Sequence, residues 1–289
     1  MSTHAPDSSG IPPEYARLVD DAAIFPPGNA PLGEAVRDYQ EHRAAPYAEL
    51  LGPFVVSDVR LPELIEVLAG SEAPLPVTVV VTGGAGALEP AARWATGTPL
   101  LEARGFEIAL RDLDDLAGAA RRVVAAADLG LDVPVYVEPP LVEQPGHAWL
   151  TAVDEVAAAD LRLKLRTGGV TADAFPSPSS VAAAIDAALD RELPFKCTAG
   201  LHHGIRHRDP GTGFEHHGFL NVLLATRAAL DGEDVAAALD EPEPAVVVRR
   251  LQEAGSDALA RARRWFTSFG CCGVHDPLED LVELGLVIL

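Results

Sequence analysis

The stretch LRLKLRTGG (161–169) alternates leucines with three cations inside an apolar part of the chain. Successive side chains of a β-strand point to opposite faces. The leucines therefore share one face, while Arg162, Lys164 and Arg166 share the other. In a barrel, the apolar face packs under the surrounding helices and the other face points into the barrel. The pattern thus predicts a strand that carries cations into a barrel interior.

A second stretch, PFKCTAGLHH (194–203), repeats the arrangement one unit later. Phe195 and Cys197 have one parity and Lys196 has the other, so Lys196 is also expected to point inward. Two consecutive strands would then bring Lys164 and Lys196 into the same cavity.

The whole chain alternates short β-branched runs with longer stretches rich in alanine and leucine. An alternating βα pattern predicts a parallel sheet, and eight units within 289 residues match a (β/α)8 barrel of the TIM type. A doubly wound open sheet is the alternative, but no G-x-G-x-x-G turn follows the first strand. The predicted strands are 16–25, 53–60, 76–84, 106–112, 133–140, 160–169, 193–200 and 265–273, and helices are expected at 61–70, 113–130, 147–159 and 177–192.

The domain organisation follows from the same spacing. We expect a disordered tail at 1–12 and a single barrel domain at 13–289. The interval between strands seven and eight is about twice as long as the others, so a helical insertion at about 204–264 is expected. The apolar C-terminal segment 273–289 would pack either on the barrel or on a second copy, which leaves a homo-oligomer possible.

The charge restricts the partners. A formal net charge of −21 opposes binding to nucleic acids and to anionic membranes. The chain has no apolar run of the roughly 18 residues that a membrane span needs, and its start lacks the features of a signal peptide. Three cysteines form no disulfide framework, so we expect a cytoplasmic protein.

The buried lysines suggest covalent chemistry. Burial and a neighbouring cation both lower the pKa of a lysine, and a neutral amine can attack a carbonyl to form a Schiff base. We expect Lys164 to be the nucleophile and Lys196 to tune it. The alternative is that both lysines form structural ion pairs with acids on neighbouring strands, for which Glu107, Glu138 and Asp58 are the candidates.

The residues around the two lysines resemble a known family. K-L-R-T-G-G at 164–169 is similar to the K-T-S-T-G-F turn of deoxyribose-phosphate aldolases, and F-K-C-T-A-G at 195–200 is similar to their V-K-A-S-G-G strand. The resemblance implies a class I aldolase barrel in which Lys164 forms the Schiff base and Lys196 adjusts its pKa. Arg166 and Leu201 depart from the family pattern, which weakens the implied phosphate site.

Histidines cluster after strand seven and offer two roles. His202 and His203 follow the strand directly and are expected to act as general acid or base near neutral pH. Alternatively, imidazoles and thiolates bind zinc and similar ions, in which case His202, His203, His207 and Cys271 would be the ligands. No cofactor is required by the Schiff-base reading, although a divalent metal remains an alternative.

Other polar residues are expected at the C-terminal ends of the strands, where barrel enzymes carry their catalytic groups. Glu138 and Asp21 are the catalytic candidates among them. The arginines suggest an anionic substrate, because guanidinium groups bind carboxylates and phosphates in a bidentate manner. The predicted substrate-binding residues are Arg166, Thr167, Gly168, Thr198, Gly200, Arg111, Asp58 and Ser268.

The sequence thus predicts a lyase acting on a small anionic carbonyl compound or phosphorylated metabolite. Two other functions stay open at this point. One is a metal-dependent barrel hydrolase or lyase that uses the histidine-rich loop. The other is a barrel without catalysis that binds a small ligand.

Overall fold

Eight parallel strands close into a barrel in the computed structural model, which describes residues 10–128, 130 and 132–289. Each barrel strand pairs with the barrel strands before and after it along the chain, and the first strand closes the ring against the last. The barrel strands are β1 (Val19–Asp21), β2 (Leu51–Ser57), β3 (Leu75–Val81), β4 (Leu101–Ala109), β5 (Val135–Glu138), β6 (Arg162–Arg166), β7 (Phe195–Thr198) and β10 (Phe266–Cys271). The predicted (β/α)8 barrel is confirmed, and the open doubly wound sheet is wrong.

Helices cover the outside of the barrel, in the order that the alternating pattern predicts. The helices are α1 (Leu32–Ala44), α2 (Leu61–Val67), α3 (Leu88–Thr96), α4 (Leu116–Ala127), α5 (His147–Ala158), α6 (Pro178–Leu189), α7 (Phe219–Asp231), α8 (Val235–Asp240), α9 (Pro244–Ala254), α10 (Ser256–Ala262) and α11 (His275–Glu283). Helix α6 begins where its sequence indicates: the side chain of Ser177 accepts the backbone N–H of Ser180, and Pro178 occupies the first turn.

The core lies between the barrel and these helices. Strand β6 illustrates how the sequence produces it, because Leu163 and Leu165 are fully buried under the helices. Lys164 occupies the opposite parity and points into the barrel, where carboxylates surround it. Alternation therefore divides the strand between an apolar outer core and a charged interior.

The long interval between β7 and β10 contains several elements. A short antiparallel pair, β8 (His207–Arg208) and β9 (Glu215–His216), lies in the loop after β7. Four helices, α7 to α10, follow it before β10. The side-chain amide of Asn221 on α7 donates to the backbone carbonyls of Ala238 and Glu241, which fixes the chain around α8 against α7.

The two ends of the described chain meet. The backbone N–H of Gly10 donates to the carbonyl of Ile288 over 2.9 Å, so the predicted disorder does not extend to Gly10. The rest of that prediction, residues 1–9, lies outside the described residues. Leu278, Leu281 and Val287 of the C-terminal segment pack into the core of this chain. Among the described helices, none combines the length and the apolar character needed to cross a membrane.

Parallel strands give the barrel two chemically different openings. We call the opening at the C-terminal ends of the strands, marked by Arg166, Thr198 and Cys271, the upper mouth. The opening at the N-terminal ends, marked by Leu51 and Arg162, is the lower mouth.

Candidate active site

The upper mouth opens into a cavity of ≈ 370 Å³, which we call the upper cavity. This volume lies within the range typical of small-molecule sites. Its wall combines apolar side chains with a few convergent polar groups. The residues lining it include Phe25, Val55, Val80, Glu107, Lys164, Arg166, Gly168, Thr198, Gly200, His202 and Cys272.

Lys164 and Lys196 lie side by side inside the barrel. They are register partners on the adjacent strands β6 and β7. Their residues are only 4% and 1% exposed, respectively. The inward orientation expected from the alternation is therefore correct for both lysines.

One carboxylate, that of Glu107, bridges the two amines, which the ion-pair alternative anticipated. Glu107 on β4 places Oε2 2.6 Å from Lys164 Nζ and Oε1 2.5 Å from Lys196 Nζ. Asp20 Oδ2 lies 2.5 Å from Lys196 Nζ, and Glu138 Oε2 lies 3.0 Å from Lys164 Nζ. Each amine is therefore in contact with two carboxylates. Two of the three acids proposed for central ion pairs, Glu107 and Glu138, do form them.

The charged groups form one chain across the barrel. Its order is Asp20, Lys196, Glu107, Lys164, Glu138 and Arg166, each in contact with the next. All members except Arg166 are buried. Buried charges are tolerated when opposite charges pair with them at close range, and the alternation of sign along this chain meets that condition.

The ion pairs outweigh the effect of burial at Lys196 and Glu107, whereas at Asp20 burial prevails and raises the pKa. Burial alone would lower the pKa of Lys196, but Asp20 and Glu107 outweigh it and raise the pKa above its ordinary value. Burial alone would raise the pKa of Glu107, but Lys164 and Lys196 outweigh it and lower the pKa to about 2. Lys196 therefore keeps its positive charge, because two carboxylates face its amine.

The two lysines face different cavities. Lys164 lines the upper cavity together with Glu107 and Arg166. Lys196 lines a separate cavity at the lower mouth together with Asp20. Only Lys164 is thus presented to a ligand that enters through the upper mouth.

Arg166 lies at the rim of the upper cavity. Its side chain is 48% exposed, and its Nε donates to Glu138 Oε1 over 2.7 Å. The carboxylate of Glu138 is thereby shared between Arg166 and Lys164. Lys164 and Arg166 lower the pKa of Glu138 against the opposing effect of burial, which is the largest single influence. A group that drew Arg166 away would make Glu138 a better base.

The turns after β6 and β7 support each other. The hydroxyl of Thr167 donates to the carbonyl of Ala199 over 2.7 Å and is fully buried, so Thr167 holds the turns together and does not line the cavity. A Cβ on Gly168 would lie 2.7 Å from the Cα of Gly200. Gly168, Thr198 and Gly200 do line the cavity, as predicted for substrate-binding residues.

Strand β1 presents a different aspartate from the one predicted. Asp20 points inward, and its Oδ2 accepts the hydroxyl of Ser268 over 2.9 Å. Asp21 has the opposite parity, and its Oδ1 accepts the backbone N–H of Ala23. Its side chain does not line the upper cavity. Asp21 is therefore wrong as a catalytic candidate, and Ser268 lies on the wall of the lower cavity rather than the upper one.

Three further candidates lie away from the upper cavity. Arg111 is exposed on the loop after β4. Asp58 begins a short 3-10 helix after β2, and its Oδ1 accepts the hydroxyl of Thr82 over 2.6 Å. His203 faces Asp280, with Nδ1 3.3 Å from Oδ1, and only His202 of the adjacent histidines lines the cavity. The direction of the loop after each strand determines where these three residues lie, and the alternation along the strands does not predict that direction.

His202 is surrounded by groups that can bind a metal. Its Nδ1 lies 2.9 Å from Asp276 Oδ2 and 3.7 Å from Cys271 Sγ. Donor atoms of His202, Cys271 and Asp276 all lie within 4.8 Å of one another. Of the four ligands expected from the sequence, His202 and Cys271 belong to this cluster and His203 and His207 do not, while Asp276 on α11 joins it. Histidine, thiolate and carboxylate are ligand types that zinc accepts.

The vicinal cysteines divide as the strand parity predicts. Cys271 packs into the core, whereas Cys272 lines the upper cavity, with Sγ 3.7 Å from His202 Nε2. Hydrogen bonds with the two thiols outweigh burial and, with help from Asp276, raise the pKa of His202 to about 11. These contacts favour the protonated imidazole, which is the form that can donate a proton.

Sequence reasoning undervalued Asp20 and Glu107. Glu107 follows from the same alternation as the lysines, since it lies between Phe106 and Ile108, which are buried on the outer face of β4, whereas Asp20 needs the register of β1. An inward acid on a strand opposite an inward lysine is the signal that could have identified them. No protein-family model matches this chain, and no curated protein is similar enough in sequence to count as a match.

Proposed function

We propose that the protein is a lyase of the class I aldolase type, in which Lys164 forms a Schiff base with a small anionic carbonyl compound. The observation that carries the proposal is the position of Lys164: its amine is buried between two carboxylates, and the residue lines the upper cavity. Lys164, Glu107 and Arg166 line the upper cavity, and Glu138 contacts Lys164 and Arg166 from behind that lining. Together they supply a nucleophile, proton acceptors and an anion anchor.

Activation of Lys164 begins with the substrate anion. Arg166 is half-exposed and binds the anionic group of the substrate, which weakens its contact with Glu138. Glu138 then becomes more basic and accepts a proton from the Lys164 ammonium, 3.0 Å away. This transfer leaves a neutral amine next to the carbonyl carbon. The substrate thus creates the nucleophile that attacks it.

The covalent steps balance with the groups present. The amine lone pair of Lys164 attacks the carbonyl carbon, and the oxygen takes the proton from Glu138. The Glu138 carboxylate then accepts the extra proton of the Lys164 nitrogen, which gives a neutral carbinolamine and leaves Glu138 able to return that proton to the hydroxyl. Reprotonation of that hydroxyl expels water and leaves an iminium ion. A carboxylate then removes the proton of the β-hydroxyl, the C–C bond breaks, the β-carbon and its oxygen leave as a first carbonyl product, and the electrons of the broken bond form an enamine on Lys164. Protonation of the enamine carbon and hydrolysis by one water release the product and restore Lys164.

Lys196 acts as a positioning residue in this scheme. It contacts Glu107 and Asp20 and lines the lower cavity, so it does not reach the substrate. Its charge keeps Glu107 ionised, and Glu107 in turn orients the amine of Lys164. The scheme needs no cofactor, and a reducing compartment such as the cytoplasm suits the free thiol of Cys272 on the cavity wall.

The test is reductive trapping. The full chain is incubated with small aldehydes and 2-ketoacids, reduced with borohydride and weighed by intact mass spectrometry. We expect a mass increase corresponding to one reduced adduct with at least one carbonyl compound. Lys164→Arg keeps the positive charge and should abolish the adduct, whereas the exposed Arg121→Lys should retain it. If no compound in either class gives an adduct on the wild type, the proposal fails.

A metal-dependent hydrolase or lyase is the second candidate, and the cluster of His202, Cys271 and Asp276 favours it. Elemental analysis of the purified protein tests it. A stoichiometric zinc or manganese signal that disappears in Asp276→Asn, but not in Asp280→Asn, would support a metal centre. Absence of the metal together with absence of the Lys164 adduct would favour the third candidate, a non-catalytic barrel that binds a small ligand.

A further inference from the structure

The lower mouth of the barrel contains a larger cavity than the upper mouth. Its volume is ≈ 950 Å³, at the upper end of the range for small-molecule sites. We call it the lower cavity. Barrel enzymes carry their chemistry at the other face, so the Schiff-base proposal makes no use of this space.

Cations dominate the wall of the lower cavity. It is lined by Arg17, Arg43, Arg104, Arg162 and Lys196, against two acids, Asp20 and Glu49. Since Asp20 already pairs with Lys196, the four arginines outnumber the one remaining acid on this wall, Glu49. Such a surplus is unexpected by chance in a chain whose net charge is −21. Four separate parts of the chain contribute the four arginines, which closure of the barrel brings to one opening.

Several of these guanidinium groups have unused donors. Within the described residues, Arg17 and Arg43 form no ion pair and no side-chain hydrogen bond. Arg162 contacts no acid there, and its Nη1 donates to the hydroxyl of Tyr136 over 3.2 Å. By contrast, the nearby Arg263 donates to the backbone carbonyls of Ala16 and Phe266, which is a purely structural role.

The arginines also lie near aromatic hydroxyl groups on the same wall. Tyr39 lines the lower cavity together with Arg43 and Arg104, and its hydroxyl donates to the carbonyl of Gly52 over 2.8 Å. The guanidinium carbon of Arg162 lies 5.7 Å from the ring centroid of Tyr136. Planar cations and phenolic groups facing one cavity are suited to several oxygens of one ligand.

We propose that the lower cavity binds a compact multivalent oxyanion, of the phosphoryl or carboxylate type, through Arg17, Arg43 and Arg162. Guanidinium groups bind both anion types in bidentate geometry. The negative charge of the whole protein does not prevent this, because at about 0.1 M salt charges beyond roughly 10 Å are screened. The arginines at the cavity then determine the local field. Long anionic polymers would still meet the remote acids, which favours a small ligand.

The test is isothermal titration calorimetry on the full chain, in a phosphate-free buffer that contains about 0.1 M salt. Inorganic pyrophosphate and citrate are the two probes, and the tighter one identifies the anion type. We expect one site per chain. The double variant Arg43→Gln/Arg162→Gln should bind at least about tenfold more weakly, as expected for lost charge-assisted hydrogen bonds. Arg43→Gln alone, at the exposed end of α1, gives the same direction if the double variant is unstable.

A charge-matched control separates a specific site from general electrostatics. Arg93→Gln/Arg121→Gln removes two exposed guanidinium groups from helices α3 and α4 and should leave the affinity unchanged. Three results would overturn the proposal: no binding of either probe to the wild type, an equal loss in the control, or a loss only in Arg166→Gln, which would place the anion in the upper cavity. Lys164→Arg should bind normally, so failure of the Schiff-base proposal does not affect this test.

Discussion

The upper and lower mouths of the barrel each present one of two neighbouring lysines, and the cavity around each lysine is different. At the upper mouth, Lys164 lines a cavity with apolar walls and contacts Glu107 and Glu138. At the lower mouth, Lys196 lines a wider cavity bordered by arginines and contacts Asp20 and Glu107. Two residues in direct register thus serve opposite openings. The alternation along a strand determines that a side chain points inward, but the positions of its ion-pair partners determine which cavity it lines.

The largest predicted effect concerns the chain of charges between the two mouths. Lys196→Met leaves Asp20 and Glu107 without their shared cation in a buried setting. We expect a loss of about 3–5 kcal/mol in the free energy of unfolding, as when one partner of a buried ion pair is removed. Urea denaturation at pH 7 measures it.

Arg166→Gln is the matched comparison, because it removes a cation from the exposed end of the same chain. We expect it to cost less than about 1 kcal/mol, since half-exposed ion pairs contribute little. Equal losses in the two variants would mean that the chain of charges is not organised around its buried centre.

The second prediction concerns Glu107, the carboxylate that the two lysines share. Its pKa is lowered from 4.5 to about 2, so its ionised form stabilises the fold above pH 4.5, and this contribution is lost as the pH falls towards 2. The full contribution is about 3 kcal/mol for a shift of this size. Between pH 7 and pH 3, the wild type should therefore lose more unfolding free energy than Glu107→Gln.

Urea denaturation at the two pH values checks this prediction. Glu283→Gln, which removes an exposed carboxylate from α11, should lose as much unfolding free energy as the wild type. A wild type and a Glu107→Gln variant that lose the same amount would show that Glu107 is not held ionised by the lysines.

The third and smallest effect concerns Asp21, which lies outside both cavities. Burial raises its pKa from 3.8 to about 6, so its ionisation destabilises the fold, with no effect below about pH 4 and the full effect above pH 6. Asp21→Asn should thus stabilise the protein at pH 7.5 by up to about 3 kcal/mol and leave it unchanged at pH 4. Thermal or urea denaturation at both pH values measures the difference. A destabilised variant at pH 7.5 would instead assign Asp21 a favourable charged contact.

The sequence predicted the barrel because each strand carries its own evidence. Alternation in LRLKLR determines which residues of β6 face the helices, and the same rule holds in β4 and β7. Eight such units in succession leave few folds that could accommodate them. These are local properties, and each can be recognised from the sequence of a single strand.

The candidate site was predictable only in part, because its contacts join distant strands. Glu107 meets Lys196 across the barrel interior, and Asp276 reaches His202 from the last helix. Without the register of β1, the alternation along the strand did not distinguish Asp20 from Asp21. Only closure of the barrel brings Arg17, Arg43 and Arg162 to one mouth. Contacts of this kind form only when the barrel closes, and no sequence motif marks them.

The most direct test of the account is to locate the borohydride-trapped adduct by peptide mapping. Lys164 and Lys196 have similar burial and adjacent positions, so the protein contains its own control. We predict that the adduct is found on Lys164 alone, because only Lys164 faces the upper cavity. An adduct on Lys196, or on both lysines equally, would contradict the assignment of the two lysines to opposite mouths.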